Sequence, residues 1–496
     1  MPAATASFDL AIIGGGVNGC GIARDAAGRG LKVLLAEQAD LGGATSSSST
    51  KLIHGGLRYL EQFEFSLVRE SLEERERLWS IAPHIIWPLR FVLPVTRGQR
   101  PGWMLRAGLF LYDHIGGRDR LPPTRAFDLG DDPAGKPLKQ GKGQAFEYSD
   151  CWVQDNRLVV LNARDAAARG ADIRVRTKVE KARRTDDGWE VQLSDGSTIN
   201  ARILVNAAGP WVDIVEDESV SIDMPGTVRL VKGSHIVVPR LYGHTRCYFF
   251  QNPDKRIFFA IPYERDYTLI GTTEEDYTGD PATPHASSEE IAYLCQSANR
   301  YFEKSLTPED VVWTYSGVRP LYSDGRANAR ETSRDFELQL DAGPGKAPFL
   351  SIYGGKITTY RRLAEAVLER LADHLPATQK QRGWTAREPL PGGEFGVDEV
   401  EKMRGRLAGD FPFLDAPAVD HFLRHYGTKA WHILEGAKDW SDLGRDFGGG
   451  LTEAEAAYLR DWEWARTAED IVWHRTKYGL RMSEAAITEL NQWLGN

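Results

Sequence analysis

The first apolar segment of the chain is short and is followed directly by glycines. Residues 8–13 (FDLAII) are mostly apolar, as in a buried β-strand, and residues 14–19 (GGGVNG) come next. A helix fits residues 17–27, and residues 32–36 (KVLLA) form a second apolar segment that ends at Glu37. This order of strand, glycine-rich turn, helix and strand predicts a βαβ unit of a parallel sheet.

The glycines of this unit have the spacing that dinucleotide binding requires. Gly14 permits a tight turn, Gly16 lets the backbone approach a pyrophosphate, and Gly19 allows the helix to pack closely against the strand. The helix N-terminus would offer N–H groups and a positive dipole to the phosphates. Glu37 lies 18 residues after Gly19, where its carboxylate can accept hydrogen bonds from ribose hydroxyls. The unit therefore predicts a dinucleotide site.

Small and hydroxyl-bearing residues follow the second strand. Residues 41–50 read LGGATSSSST, and Thr45, Ser46, Ser48 and Ser49 are the candidates for contact with a flavin. Glycines and small side chains let the backbone lie close to an isoalloxazine ring, to which the hydroxyls can donate hydrogen bonds. A Rossmann dehydrogenase would continue with further α/β units, so this segment favours FAD over NAD. A flexible linker is the alternative interpretation.

Two later segments fit the same cofactor. Apolar runs between residues 178 and 205 predict a β-meander that ends at NAAGPW, where the small residues Ala208 and Gly209 suit close contact with a cofactor. Residues 349–353 (FLSIY) predict another strand, followed by GGKITT and a helix. The candidate cofactor contacts in that second segment are Gly355, Lys356, Ile357 and Thr358. Lys356 beside a helix N-terminus would place positive charge near the flavin, and an exposed loop lysine is the alternative.

The cofactor motifs recur along the chain, so we expect a discontinuous cofactor domain. The predicted fold class is α/β, with a Rossmann-like FAD-binding domain of the glutathione-reductase/amino-acid-oxidase type, an antiparallel-sheet substrate domain and a helical C-terminal domain. The predicted limits are 1–80, 150–225 and 319–375 for the FAD-binding domain within 1–375, 81–149 and 226–318 for the interleaved substrate or membrane-facing domain, 376–396 for a linker rich in Pro and Gly, and 397–496 for the C-terminal domain.

Charge and cysteine content narrow the class of protein. The chain of 496 residues has a net charge of −9, and neutralising phosphates needs a basic surface, so we expect no nucleic-acid partner. The four cysteines lack metal or redox spacing, so buried free thiols are expected. His421 and His425 lie four residues apart, but with no evident third ligand we expect no metal site.

Residues 77–112 have an unusual composition for an acidic protein. They contain no Asp or Glu, although tryptophans and aliphatic residues are interspersed with arginines. These arginines are Arg77, Arg90, Arg97, Arg100 and Arg106. Such a mixture is typical of segments at a membrane interface, and core packing with arginines at its edge is the alternative. Because no run of ~18 uncharged apolar residues occurs, we expect no membrane-spanning helix and no signal peptide.

Five motifs carry a resemblance to a known family over nearly the whole chain. They lie, in the family's order, at 49–72 (STKLIHGGLRYLEQFEFSLVRESL), 233–240 (GSHIVVPR), 316–321 (SGVRPL), 354–361 (GGKITTYR) and 466–481 (RTAEDIVWHRTKYGLR). In these motifs the chain resembles the aerobic FAD-dependent, quinone-linked glycerol-3-phosphate dehydrogenases. The resemblance implies oxidation of sn-glycerol 3-phosphate to dihydroxyacetone phosphate, with electrons passed from non-covalently bound FAD to a membrane quinone.

The same resemblance implies a set of catalytic residues. They are Arg58, Tyr59, His235, Arg319, Arg334 and Lys356. Guanidinium groups suit the phosphate dianion because they bind it bidentately, and Arg319 and Arg334 match the family's phosphate-binding arginines. Alcohol oxidation also needs a base with a pKa near neutrality, for which His235 is the candidate and His54 the rival. Structural ion pairs and a buried core histidine are the alternatives for these residues.

The expected location follows from the membrane-interface composition together with the family resemblance. We expect a cytoplasmic protein attached peripherally to the cytoplasmic face of the inner or plasma membrane, where anionic lipids attract arginines. A homodimer is left open. A glycerol-3-phosphate oxidase that reduces O₂ would share the same site residues, and a non-catalytic flavin-binding scaffold is a further alternative. The convergence of cations and a base on the flavin speaks against a scaffold.

Overall fold

Two β-sheets and a C-terminal group of helices organise the part of the chain that the structure describes. In this computed structural model the described residues are 6–96, 100–117, 120–323, 335–376 and 382–495, without the side chain of Arg58. The strands are β1 (Ser7–Ile13), β2 (Val33–Ala36), β3 (Leu52–Ile53), β4 (Ile86–Pro94), β5 (Arg125–Asp128), β6 (Gln144–Val153), β7 (Asp172–Arg174), β8 (Val179–Thr185), β9 (Gly188–Leu193), β10 (Thr198–Asn206), β11 (Thr227–Pro239), β12 (Cys247–Gln251), β13 (Ile257–Tyr263), β14 (Tyr267–Gly271), β15 (Glu275–Asp276), β16 (Trp313–Ser323), β17 (Glu337–Asp341) and β18 (Phe349–Tyr353).

The helices lie mostly between the strands of the first sheet and after the last strand. They are α1 (Val17–Gly28), α2 (Phe65–Ile81), α3 (Gly102–Ile115), α4 (Asp155–Ala168), α5 (Val212–Ile214), α6 (Ser288–Tyr301), α7 (Tyr360–Arg370), α8 (Val400–Asp410), α9 (Ala416–Tyr426), α10 (Ala430–Ile433), α11 (Glu453–Trp462) and α12 (Glu484–Trp493). Two short π-helical segments occur at Val215–Val220 and Asp470–Arg475.

The first sheet is the parallel sheet that the glycine-rich unit predicts. Its order is β17-β18-β10-β1-β2-β7, in which all pairs from β18 to β7 are parallel and β17 is antiparallel to β18. Helices α1, α4 and α7 cover one face of the sheet through buried aliphatic side chains. Strands β8 and β9, which form a meander with β10, contribute buried side chains to the cluster on the other face. The predicted α/β class and FAD-domain fold type are thereby confirmed.

The second sheet is largely antiparallel and is larger than the sequence indicates. Its order is β15-β11-β14-β13-β12-β4-β6-β3, with β16 paired to β11 and β5 paired to β6. Within the predicted substrate domain, strands β12 and β13 are joined by a turn at residues 252–256 and pair with each other. Strands β4, β6 and β16, which carry Trp, Pro and charged residues within their apolar pattern, are found only in the structure.

The C-terminal residues have a hydrophobic core of their own. Leu407, Phe422, Leu459 and Ile471 belong to one buried cluster, distinct from the clusters around the two sheets. Within the predicted linker, Trp384 lies against Gly28 of α1, where an added Cβ would overlap the indole ring. The described part of the linker is therefore packed against the first sheet's helices. The domain limits themselves stay a prediction.

The acid-free segment 77–112 divides between core and surface. Strand β4 is mostly buried in the second sheet, so for residues 86–94 the core alternative is correct and the membrane interpretation is wrong. Helix α3, in contrast, exposes Trp103 and Phe110, with 74% and 65% of their surfaces accessible. Arg97 lies outside the described residues. Among the described helices, none has the length and apolar character to cross a membrane.

Candidate functional site

The site begins where the carboxyl ends of adjacent parallel strands meet. Strand β1 ends at Ile13, β10 ends at Asn206, and β18 ends at Tyr353, which is the edge where ligands bind in open α/β sheets. Gly14 follows β1 with φ of +106°, a conformation that favours glycine, and a Cβ there would lie 2.6 Å from the carbonyl oxygen of Ala207. The glycine turn thus brings β1 and the end of β10 into close contact.

Gly19 has the packing role that the sequence analysis gives it. An added Cβ would overlap the carbonyl oxygen of Gly14, so the helix can approach the turn only with glycine at this position. At Gly16, the N-cap of α1, an added Cβ would meet only the Ser46 hydroxyl, at 3.3 Å. Gly16 therefore keeps the first turn of α1 open towards the cavity.

Glu37 lies at the end of β2 and already accepts two backbone hydrogen bonds. Its Oε2 accepts from the N–H of Gly15 at 2.6 Å, and its Oε1 accepts from the N–H of Ala39 at 2.7 Å. Burial raises the pKa of this carboxyl, and the two N–H groups oppose that rise. Each oxygen keeps lone-pair capacity, so the carboxylate can still accept from a ribose hydroxyl.

The hydroxyl-rich loop is held by its own side chains. Thr45 Oγ1 donates to the carbonyl of Val318 at 2.6 Å, Ser49 Oγ donates to Asp155 at 2.8 Å, and Ser46 Oγ accepts from the N–H of Val17 at 3.0 Å. Thr45 and Ser49 thus donate their protons within the protein here, and their role as flavin contacts stays a prediction. Through these hydrogen bonds Thr45 fixes the loop against β16, and Ser49 fixes it against α4.

A cavity of about 980 Å³ joins these parts. All of the predicted cofactor contacts except Gly19 line it. They are Gly14, Gly16, Glu37, Thr45, Ser46, Ser48, Ser49, Ala208, Gly209, Gly355, Lys356, Ile357 and Thr358. Residues 354–359 precede helix α7 and do not form its first turn, so Lys356 lies on a loop and the helix N-terminus begins at Tyr360. The cavity has room for an elongated ligand, and the start of α1 forms part of its wall.

Positive groups line the cavity beside the loops after β16 and β18. Arg319 of β16 and Lys356 both line it, and the carbonyl of Pro320 lies against Gly354. The Lys356 ammonium lies 4.2 Å from the ring centroid of Tyr59, which also lines the cavity. Two cations on neighbouring segments suit an anionic substrate. Arg334 and the side chain of Arg58 lie outside the described residues.

His235 lies behind the cavity wall. Its side chain is 1% exposed, its Nε2 lies 3.0 Å from Thr50 Oγ1, and its ring stacks on Tyr315 at 4.7 Å between centroids. Burial lowers the pKa of His235 well below its usual value, and Arg319 and Lys51 lower it further. The imidazole is therefore neutral at pH 7 and able to accept a proton, although it meets the cavity through Thr50.

His54 lines the cavity directly. Burial lowers its pKa, Asp150 opposes that change, and Lys356 adds to it. Asp150 itself accepts hydrogen bonds from Arg75 and Tyr112, each at 2.8 Å. Both histidines are thus neutral, and His54 is the one of the two that lines the cavity.

A buried ion pair that was not predicted from the sequence lies beneath the hydroxyl-rich loop. Lys51 is 2% exposed, and its ammonium donates to Asp155 at 2.8 Å and to the carbonyl of Ser47 at 3.0 Å. Asp155 opens α4 directly after strand β6, and a carboxylate immediately after a buried strand was the signal available. Arg256 of the β12–β13 turn also lines the cavity and was not predicted.

The four cysteines are buried free thiols, as predicted. None of them is among the described residues that line the cavity. Cys20, in α1, lies nearest the glycine turn, where its thiol contacts the carbonyl of Gly15 at 3.4 Å. Burial raises the pKa of the Cys20 thiol, so it stays protonated.

Comparison with known proteins connects this geometry to a family. Residues 9–361 match the family of FAD dependent oxidoreductases, and residues 384–494 match the C-terminal domain of alpha-glycerophosphate oxidase. The chain is 50% identical to D-erythritol 1-phosphate dehydrogenase of Brucella abortus, over 98% of each chain. It is 49% identical to glycerol-3-phosphate dehydrogenase of Pseudomonas aeruginosa, over 98% of this chain and 95% of that one.

The fold has a solved counterpart along nearly its whole length. The crystal structure of glycerol-3-phosphate dehydrogenase from Bacillus halodurans complexed with FAD matches with a TM-score of 0.76 and 25% identity. The match covers 99% of this chain and 94% of that one. The cofactor of the family is FAD, and the cavity between the two sheets has the elements that would hold it.

Proposed function

Since the chain belongs to the FAD-dependent oxidoreductases, in the branch with the aerobic glycerol-3-phosphate dehydrogenases, we propose that it oxidises sn-glycerol 3-phosphate to dihydroxyacetone phosphate. The observation that carries the proposal is one cavity lined at once by the glycine turn, two cations and a neutral histidine. A dinucleotide, a phosphate ester and a proton acceptor are the three things that this reaction brings together.

The residues present fit FAD. The glycine turn and the N-cap of α1 form a cradle that a Cβ at Gly14 would close, and Glu37 stands at the end of β2 to accept from a ribose. Bound FAD supplies the acceptor for the hydride that leaves the substrate. We propose non-covalent binding, because no flavin-tethering Cys or His motif is recognisable in the sequence.

The phosphate is proposed to bind Arg319, with Lys356 as a second cation. A guanidinium binds phosphate through two parallel hydrogen bonds and stays charged at every working pH. Arg58 and Arg334 are further phosphate or hydroxyl ligands by resemblance to the family. Tyr59 supports the site by packing its ring against the Lys356 ammonium at 4.2 Å.

The base is proposed to be His235, acting through Thr50, with His54 as the rival. Thr50 lines the cavity and lies 3.0 Å from His235 Nε2, so a proton from the substrate hydroxyl has a route to the imidazole. His54 needs no such relay. The variants His235→Gln and His54→Gln distinguish the two. Protonation of the true base makes kcat/KM fall at low pH, so the variant that lacks this base should no longer show that fall.

A second substrate is favoured by one specific observation. The relative of 50% identity is named for D-erythritol 1-phosphate, which is also a polyol monophosphate and is one carbon longer. The same cations and base would serve that ester. D-erythritol 1-phosphate is therefore the second candidate substrate.

We propose that a membrane quinone accepts the electrons, with O₂ as the alternative acceptor. Helix α3 supports this proposal, because it exposes Trp103, Met104 and Phe110 beside the exposed Arg106. A protein attached in this way would lie on the cytoplasmic face of the membrane, where anionic lipids meet arginine. Two other described arginines of the segment form ion pairs: Arg90 contacts Glu147 at 3.4 Å, and Arg100 pairs with Glu61.

The decisive experiment mixes the FAD-loaded protein with substrate in the absence of air. Loss of the oxidised flavin absorbance on mixing with sn-glycerol 3-phosphate supports the proposal, and D-erythritol 1-phosphate is run beside it. A much higher kcat/KM for the erythritol ester would reassign the substrate. Flavin that stays oxidised with both esters would contradict the proposal and leave the scaffold interpretation. Reoxidation by a quinone compared with O₂ then identifies the acceptor.

A further inference from the structure

A continuous stack of aromatic rings connects the C-terminal residues to the candidate base. The ring of His235 stacks on Tyr315 at 4.7 Å, Tyr315 contacts Trp313 at 5.1 Å, and Trp313 stacks on Trp473 at 4.5 Å with an interplanar angle of 16°. The first three residues belong to neighbouring strands β11 and β16, whereas Trp473 lies in the C-terminal core region. The stack is therefore a direct contact between the C-terminal helices and the wall of the site.

Strand β16 is the element through which this contact reaches the cavity. Tyr315 donates its hydroxyl to the carbonyl of Ser49 at 2.9 Å, and the carbonyl of Val318 accepts from Thr45 at 2.6 Å. Arg319, the proposed phosphate ligand, is the next residue along the strand. A shift of β16 would thus displace the hydroxyl-rich loop and Arg319 together.

Trp473 is itself firmly held. A Cβ at Gly479 would lie 2.5 Å from the indole, so the ring is packed against Gly479 as well as against Trp313. Two residues further on, Arg475 is fully buried and donates to both oxygens of Asp40, which also lines the cavity. The segment that carries Trp473 is therefore anchored to the cofactor side of the cavity independently of the stack.

We propose that Trp473 is a positioning residue, through which the C-terminal helices hold strand β16 and its site residues in register with the cofactor loop. Trp473 is not among the described residues that line the cavity. Its effect passes through Trp313 and Tyr315. This inference rests on the proposed function for its kinetic consequence, although the packing it describes does not depend on the substrate.

The physical argument is that aromatic stacking fixes both distance and angle. A ring pair with centroids 4.5 Å apart loses its contact with small lateral shifts, and the stack adds a directional term that aliphatic packing lacks. Catalysis is sensitive to such shifts, because small misplacements of positioning groups cost large factors in rate. A second aromatic ring at position 473 should preserve the contact, and an aliphatic side chain should not.

The test compares Trp473→Leu, Trp473→Phe and Trp313→Leu with the FAD-loaded wild-type protein. We expect Trp473→Leu and Trp313→Leu to lower kcat/KM for flavin reduction about 3- to 10-fold, and Trp473→Phe to recover most of the loss. The double variant should be no slower than either single variant, because both remove one contact. The second single variant keeps the test decisive if Trp473→Leu folds poorly.

Trp493→Leu is the matched control. Trp493 is a half-buried tryptophan of the same C-terminal core, and its ring contact among the described residues is with Phe447, at 5.5 Å. It should lose thermal stability as Trp473→Leu does and keep the wild-type rate. Equal rates in Trp473→Leu and wild type, or equal slowing in Trp493→Leu, would overturn the proposal.

A readout that needs no substrate separates this inference from the proposed function. The visible circular dichroism of bound FAD reports the geometry of the loop that β16 holds. We expect Trp473→Leu to change this spectrum and Trp493→Leu to leave it as in wild type. If neither ester reduces the wild-type flavin, the proposed function fails and the spectrum alone decides; an unchanged spectrum in Trp473→Leu then overturns the positioning role.

Discussion

At the scale of single residues, Arg319 has the clearest electrostatic role in the site. It lines the cavity and is one of two charged groups that lower the pKa of the buried His235. A cation that keeps a neighbouring base neutral while binding the substrate phosphate serves two steps of the proposed reaction. Its replacement should therefore affect catalysis more than folding.

We expect Arg319→Ala to lower kcat/KM for sn-glycerol 3-phosphate by at least about 10-fold, because a charge-assisted hydrogen bond contributes about 1.5–3 kcal/mol. FAD content should stay at the wild-type value, since the glycine turn is untouched. Arg229→Ala is the control, because Arg229 pairs with Asp276 on the surface end of β11. An unchanged kcat/KM in Arg319→Ala would remove this residue from the phosphate site.

The residues that could be found from sequence are those whose role is local. Gly14 and Gly19 serve a turn and a helix contact within a few residues, so their spacing alone predicts their geometry. The partners of Thr45 and Ser49 lie at Val318 and Asp155, more than 100 residues away. No local pattern could show that these hydroxyls are already used. Lys51 and Asp155 lie 104 residues apart, so the position of Asp155 after a buried strand could indicate a functional carboxylate but not its partner.

At the scale of elements, strands with alternating or uniform apolar runs were predicted well. The sequence places β1 and β18 within one residue of their observed ends. Strands β4 and β16 were missed because each contains proline and arginine, which local propensity assigns to loops. Arg90 of β4 donates to the carbonyls of Pro122 and Pro123, and Arg319 of β16 lines the cavity, which only the tertiary structure reveals.

Helix α3 shows how a composition signal can be correct for one element and wrong for its neighbour. Its inner side buries Leu109 and Tyr112 against the second sheet. Its outer side exposes Trp103 and Phe110, side chains that cost free energy in water. The membrane hypothesis therefore belongs to this helix and not to strand β4.

We expect Trp103→Ser combined with Phe110→Ser to reduce co-sedimentation with anionic liposomes, because inserted aromatic side chains supply the apolar part of interfacial binding. Quinone-coupled activity should fall with it, while reduction of a soluble dye by glycerol 3-phosphate continues. Arg77→Ala, in helix α2, is the control from the same acid-free segment, since Arg77 pairs with Glu74. Unchanged liposome binding in the double variant would place membrane attachment elsewhere.

At the scale of the whole molecule, buried ion pairs join the C-terminal helices to the first sheet. Arg157 of α4 donates to Glu463 at 2.9 Å, and both side chains are at most 2% exposed. Arg475 and Asp40 form a second such pair. Two buried charges in contact are costly to separate, because each would remain in a poorly polarisable interior.

We expect Glu463→Ala to lower the thermal unfolding temperature markedly, since an unpaired buried guanidinium costs about 3–5 kcal/mol. Arg157→Met with Glu463→Leu should recover much of that loss by removing both charges. The unfolding temperatures of wild type and both variants are measured by calorimetry of the holoprotein. If Glu463→Ala is as stable as wild type, water or another group compensates the buried charge of Arg157.

Buried neutral histidines give the whole molecule a predictable response to acid. Burial, with Arg157 and Arg424, lowers the pKa of His84 to about 3, and burial also lowers the pKa of His54, His235 and His425. In the unfolded chain each would titrate near its usual pKa of about 6.5. Between these values the unfolded state binds more protons, so stability falls as the pH falls below about 6.5.

His84 is the best residue on which to test this response, because it lies outside the cavity and packs between glycines and Phe395. Linkage assigns it a destabilisation of about 2 kcal/mol at a pH of about 5, relative to neutral pH. We expect His84→Leu to show a smaller drop in melting temperature between pH of about 7 and about 5 than wild type. Phe395→Leu disturbs the same contact without removing a titrating group, so it should keep the wild-type drop. Equal drops in all three proteins would contradict the role of His84 in acid sensitivity.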